Sequence, residues 1–197
     1  AKKRYMLWVH DNEGVRYTDP QLKTTGLEVM RSSTPNYSRS VIKEALIHFI
    51  KSDREAFYTL LDTAEQEFQT RPFVEIASPR TCNGLTKYPL LPHGQFTTKT
   101  PFQVRGALVY NKHLVDTHLD QKYPTIRDGD KIRFCYMKTQ NPLRSTVISA
   151  PHTLPTEWNL DPFLDRQTQF EKTLLDPLER VIECAGWSIR PIATLDF

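Results

Sequence analysis

The sequence predicts an α+β fold, in which an N-terminal β-hairpin precedes a mainly helical body with a few short strands. Three observations predict it. Strand-like residues flank an Asp11-Asn12-Glu13-Gly14 turn near the start. Residues 35–50 and 53–69 repeat apolar side chains at helical spacing. Strand-period alternation returns only late and briefly, at 131–138 and 145–150.

The elements follow in order. Residues 4–10 and 15–17 read as two strands, with Gly14 free to take positive φ in the turn between them. A further extended piece covers Leu22 to Met30. In SSTPNYSRSVIKEALIHFI, Thr34 is the expected N-cap and Pro35 the first helical residue, where its missing N–H costs nothing. Val41, Ile42, Ala45, Leu46, Phe49 and Ile50 form the stripe of that helix. A second helix runs from Asp53, as cap, to about Gln69, with Phe57, Leu60, Leu61, Ala64 and Phe68 inward. Core packing between two antiparallel helices accounts for both stripes.

FVEIAS (73–78) reads as a short strand or extended piece, and 78–101 as a proline-rich loop. Thr100-Pro101 repeats the cap-plus-proline signature and opens a helix through about Leu114. An Asp128-Gly129 turn precedes the strand KIRFCYMK, and STVISA pairs with it. From Asp161 to Ala185 the chain reads as helix, interrupted or kinked at Pro177 and stopped at Gly186.

Composition narrows the function classes. With 39% hydrophobic and 25% charged residues over 197 positions, a core can form in one domain, with or without a small appendage. No apolar run approaches the roughly 18 residues of a membrane span. The first residues carry neither the apolar region nor the cleavage site of a signal peptide. Cys82, Cys135 and Cys184 are scattered and odd in number, which fits a reducing compartment and no Cys-rich metal site. HExxH, GxSxG, Walker and GxGxxG patterns are all absent. His113 and His118 read as ordinary surface residues. Asp11, Glu13 and Asp19 could be imagined around a metal, but a turn explains Asp11 and Glu13 better.

Charge is segmented. Residues 1–43 carry eight Lys/Arg against four Asp/Glu; residues 44–75 reverse this, three against seven. Residues 76–115 carry Arg80, Lys87, Lys99, Arg105 and Lys112 and no acid at all. Basic blocks with Tyr5, Tyr37, Tyr88 and Tyr110 among them are what a polyanion site looks like, although an unevenly charged surface gives the same counts. Ser32-Ser33-Thr34 stands at a helix start, where free N–H groups and the dipole favour anions; plain capping is the compatible alternative.

KKRY at 2–5, EGVRY at 13–17, LKTTGLEVMRSSTP at 22–35, EIAS at 75–78, NGLTKY at 83–88, TPFQVRGALVYN at 100–111, LLDPLE at 174–179 and LDF at 195–197 form an ordered set. The set spans the chain and resembles the end of the palm and the thumb of family B DNA polymerases, those of T-even-type bacteriophages above all. The resemblance implies that 1–28 is the end of the palm with its hairpin, 29–190 a thumb domain, and 191–197 a clamp-binding tail. It places Lys2, Lys3 and Tyr5 at the primer terminus. A Lys there meets the minor-groove acceptors that every base pair presents, so it tests pairing geometry without reading sequence. It turns Arg31, Ser32, Ser33 and Thr34 toward primer phosphates. It puts Thr81, Lys87, Tyr88 and Lys99 in the tip loop, within the acid-free block.

The same resemblance implies what this chain does not supply. The palm aspartates that hold Mg²⁺, the fingers and the exonuclease are not in the sequence, so no catalytic or metal-ligating residue and no cofactor is assigned here. Mg²⁺ belongs to the complete polymerase. The expected partners are primer-template DNA, the catalytic part of the polymerase and a sliding clamp, with no membrane. The clamp segment keeps Leu195, Asp196 and Phe197 but lacks a second aromatic nearby. The expected location is the cytoplasm of the infected bacterial host. Ala1 directly before KKRY is compatible with the small half of a split polymerase, which is preferred to an excised fragment. A stand-alone duplex-binding accessory protein is the alternative reading.

Overall fold

The computed structural model describes residues 5–27, 31–88, 96, 97 and 99–191. It has the α+β architecture expected: a two-stranded antiparallel hairpin, then helices, with a three-stranded antiparallel sheet. The chain divides into two compact units, residues 1–68 with 170–197 and residues 69–169.

The first unit begins with β1 (Tyr5–Asn12) and β2 (Val15–Thr25). Glu13 and Gly14 both take positive φ, 54° and 83°, as a two-residue hairpin turn requires, and the Gly14 N–H donates to Asp11 Oδ1 at 3.0 Å. The separate strand and extended piece expected after the turn are one strand. Four residues, Tyr17 to Pro20, stand opposite the single His10, so Pro20 falls in an irregularity where no ladder hydrogen bond is lost. Arg4 and residues 28–30, which were included in those readings, lie outside the described residues.

α1 (Asn36–Ile50) and α2 (Arg54–Phe68) pack together as their stripes predict, burying Val41, Ile42, Ala45 and Leu46 against Phe57, Leu61, Ala64 and Phe68. The Asp53 cap is present: its Oδ1 accepts the Ala56 N–H at 3.1 Å. The Thr34 cap is not. Pro35 occupies the N-cap position with extended ψ of 149°, its carbonyl accepts the Arg39 N–H at 2.9 Å, and no side chain caps the helix. α6 (Asp176–Ile182) and the π-helical turn before it, Glu171–Leu175, complete the unit. The expected kink at Pro177 takes that form, because Pro177 offers no N–H to Thr173 and its ring crowds that carbonyl. A buried Ser38–Thr173 hydroxyl hydrogen bond of 2.9 Å ties α1 to the π turn. Gly186, φ 74°, ends the helix. Trp187 then packs edge-on to Phe49 and Phe57, with centroids 5.0 and 5.3 Å away, and Tyr58 donates to the Ser188 carbonyl at 3.2 Å. The segment leading to the C-terminal tail is thereby fixed to α1 and α2.

The second unit departs further from expectation. FVEIAS is one helical turn, α3 (Phe73–Ile76), opened by Pro72 at its N-cap. Ser78–Thr81, read as loop, is strand β3, which pairs antiparallel with β4 (Lys131–Tyr136). β3 is an edge strand, so Pro79 is tolerated there. β5 (Val147–Ala150) pairs with β4 as expected. α4 (Phe102–Asp116) again has its proline, Pro101, at the N-cap, and Thr100 lies outside the helix. α4 packs on β5 and buries Val104, Gly106, Ala107, Tyr110 and Leu114. From Asp161 the single helix expected is broken into a 3₁₀ turn at Asp161–Phe163, then α5 (Arg166–Phe170). His113 is not an ordinary surface residue: its ring lies 4.6 Å from that of Trp158, and burial foremost lowers its pKa.

Candidate nucleic-acid interface

The first unit carries Tyr5 and the Arg31–Thr34 segment. Tyr5 opens β1 opposite Thr25 and is 37% exposed. Arg31 to Thr34 form a tight turn, closed by the Thr34 N–H donating to the Arg31 carbonyl at 3.0 Å. Arg31 and Ser32 are exposed, and Ser33 and Thr34 half-buried. This turn delivers the chain into α1, whose first turn contains no acid and whose N-terminus has no side-chain cap. Sequence reasoning missed Arg39, whose Nη2 donates to Asn36 Oδ1 at 2.7 Å. A guanidinium beside a helix N-terminus opposes the dipole in the free protein, and both attract an anion.

The second unit carries Thr81, Lys87, Tyr88 and Lys99. Thr81 ends β3, exposed, directly opposite Lys131. Lys87 closes a 3₁₀ turn, Leu85–Lys87, that begins at Gly84 in the left-handed region with φ 81°. The Lys87 ammonium lies 5.8 Å from the Tyr88 ring centroid, so the cation is held over an aromatic face. Lys99 is exposed, and next to it the buried Thr100 donates its N–H to the Thr97 carbonyl at 3.0 Å. Arg105 braces that turn, donating from Nε to the Thr100 carbonyl at 2.8 Å and from Nη2 to the Thr97 carbonyl at 3.3 Å.

The acid-free block of the sequence is not acid-free in space. Its Cys82–Lys87 stretch is docked on the 128–130 turn. The Cys82 N–H donates to the Asp130 carbonyl at 2.8 Å, and the Gly129 N–H to the Cys82 carbonyl at 2.7 Å. The Leu85 N–H donates to Asp128 Oδ1 at 2.6 Å. Burial, then Asp128 and Asp130, push the Cys82 thiol up to about 11, so it is protonated and unreactive near neutral pH. Burial also lowers the Arg80 pKa.

Lys2, Lys3, Leu195, Asp196 and Phe197 lie outside the described residues, as does most of the expected tip loop, 89–95 with 98. Among the described residues no three His, Cys, Asp or Glu side chains stand together as metal ligands, and no helix is long and apolar enough to cross a membrane.

No protein-family model matches the chain. Two curated relatives do. The chain is 31% identical over 201 residues to the DNA-directed DNA polymerase of Enterobacteria phage T4, matching 100% of this chain and 22% of that protein. It is 34% identical over 200 residues to the DNA-directed DNA polymerase of Escherichia phage RB69, matching 99% of this chain and 22% of that protein. The chain therefore spans about a fifth of the length of the relatives it matches.

Proposed function

We propose that this chain, whose whole length fits the C-terminal part of a T-even-type family B DNA polymerase, grips primer-template duplex and positions the primer terminus during phage DNA replication. The single observation that carries the reading is the match of essentially the whole chain to two phage polymerases. Hairpin and thumb divide the work. Lys2, Lys3 and Tyr5 meet the last primer pairs, while Arg31 to Thr34 with Arg39, and Thr81, Lys87, Tyr88 and Lys99, hold phosphates. Such contacts give affinity without sequence preference, which suits a replicase that must hold any sequence.

Nucleotidyl transfer needs two Mg²⁺ ions held by carboxylates. This chain matches 22% of each relative, and we assign the chemical step to the remainder of the polymerase. The partner that supplies the step is the catalytic part of the polymerase, as a separate subunit or as the rest of one polypeptide, in the cytoplasm of the infected host.

The purified chain is expected to bind duplex weakly, without sequence preference, and with log K falling by about 0.9 per phosphate neutralised for each tenfold rise in salt. It is expected to incorporate no nucleotide alone. Fluorescence anisotropy across a salt series, with primer extension in the presence and absence of a catalytic partner, tests both. Salt-independent binding, strong preference for one sequence, or extension by the chain alone each contradicts the reading.

The tail is the second functional element. Trp187 and Ser188 are fixed to α1 and α2, and residues 191–197 begin three positions after Ser188, so a clamp bound to Leu195, Asp196 and Phe197 would be tethered close to those helices. Two apolar side chains support only modest affinity, and tethering to an encircling clamp supplies the rest. Deleting 191–197 should spare duplex binding and single-nucleotide extension but shorten the products made with the matching clamp. Equally long products from the truncated and full-length proteins would remove the tail from the reading.

A further inference from the structure

We infer that Lys131 extends the Thr81 site into a short polar row at the exposed end of the three-stranded sheet, which takes a backbone phosphate of duplex nucleic acid. The inference rests on the duplex-binding reading above and adds residues to its second-unit contact set.

Register carries the argument. Thr81 pairs with Lys131 and Pro79 with Arg133. Directly opposed residues share a face, and residues two apart on one strand share it too, with opposed Cβ atoms about 4.5–5.5 Å apart. Thr81, Lys131 and Arg133 therefore lie on one side of the sheet. The opposite side is the packed one at this end, where Ile132 and Phe134 are 2% and 7% exposed. Arg80 belongs to that side, with its guanidinium 5.9 Å from the Phe134 ring centroid.

The row is held rigidly. The hydrogen bonds that dock Cys82 and Leu85 on the 128–130 turn lock Lys131 to the Thr81–Lys87 stretch. Asn111 brackets the backbone just before that turn, donating to the Ile126 carbonyl and accepting its N–H, each at 2.8 Å. Backbone fixed this way sets the root of the Lys131 side chain at a constant distance from the Thr81–Lys87 stretch.

Lys131 itself is unpaired among the described residues. Asp128 and Asp130 are the nearest acids in sequence. Asp128 Oδ1 already accepts the Leu85 N–H and Asp130 Oδ2 the Arg127 N–H, the latter at 2.7 Å. Lys131 forms no ion pair among the described residues. Arg133 is half-buried and its Nη1 is shut off from solvent, so the cation this face presents is Lys131.

The test is a salt series of duplex binding by the full chain and three variants, Lys87→Ala, Lys131→Ala and Lys112→Ala. Lys112 is ion-paired with Asp116 on α4 and serves as the control. Lys131→Ala should flatten the slope of log K against log salt by about 0.9, equivalent to roughly eightfold weaker binding near 0.1 M salt, with Lys112→Ala following the wild type. Lys131 is exposed, so its replacement leaves the fold intact, checked by an unchanged melting temperature. If Lys87→Ala flattens the slope and Lys131→Ala does not, the row is no phosphate site and the duplex-binding reading stands. If the wild-type chain shows no salt-dependent binding, that reading falls and the row with it.

Discussion

Gly106→Ala is expected to destabilise the second unit by about 2–3 kcal/mol, a fall of roughly 5–10 °C in melting temperature. Two effects of opposite sign meet at this position. Glycine inside a helix costs about 1 kcal/mol relative to alanine, so in open space the substitution would stabilise α4. Space is not open. A Cβ on Gly106 would lie 2.4 Å from Ser149 Oγ, 2.6 Å from the Ser149 nitrogen and 2.8 Å from the Ile148 carbonyl carbon. Two of these are backbone atoms of β5, which can move only if the strand pulls away from α4. The hydroxyl is also held, donating to the Gln103 carbonyl at 2.9 Å. Sterics therefore win. The consequence reaches function through Arg105, the neighbouring residue, which braces the Lys99 turn. Thermal unfolding of Gly106→Ala and of Gly106→Ala with Ser149→Ala checks the argument. The double variant should not recover, because it leaves both backbone contacts in place. An unchanged or raised melting temperature in the single variant would mean that α4 does not approach β5 this closely.

What the sequence made legible was local. The α1 and α2 stripes, the Asp53 cap, the Gly14 turn and the Gly186 stop each depend on residues within one turn of one another. The Thr-Pro signatures were legible only to within one residue. Thr34-Pro35 fits threonine at the N-cap with proline following, and equally threonine outside with proline at the N-cap. Both spare a proline N–H, and only the Pro35 carbonyl accepting the Arg39 N–H decides. Pro101 and Pro72 follow the same choice. β3 was hidden because SPRT contains a proline, which argues against a strand until its edge position is known.

The candidate site was legible where charge is contiguous along the chain and illegible where pairing brings distant residues together. Residues 76–115 hold five cations and no acid, yet Asp128 Oδ1 and the Asp130 carbonyl accept the Leu85 and Cys82 N–H groups within that block. The same pairing supplies Lys131, which no count within the block could find. Arg39 carried a weaker signal, a cation four residues after Pro35, and was read only as part of a helix.

Lys3→Ala is expected to slow primer extension by the assembled polymerase by up to about 10²-fold, while Lys99→Ala costs only affinity. The two cations act on different quantities. Lys3, two residues before the strand residue Tyr5, is assigned to the minor groove at the primer terminus. A terminus displaced by a fraction of its reacting distance loses its approach to the incoming nucleotide. That loss persists when every polymerase carries DNA. Lys99 is assigned one phosphate among several, so its removal is expected to weaken binding by roughly eightfold at 0.1 M salt and to leave the bound terminus in place. Raising the DNA concentration should restore Lys99→Ala to the wild-type rate and leave Lys3→Ala slow, a split between apparent affinity and turnover. Single-turnover extension measured from limiting to saturating primer-template separates the two. Equal losses at saturation, or full recovery of Lys3→Ala there, would mean that KKRY contributes grip and not position.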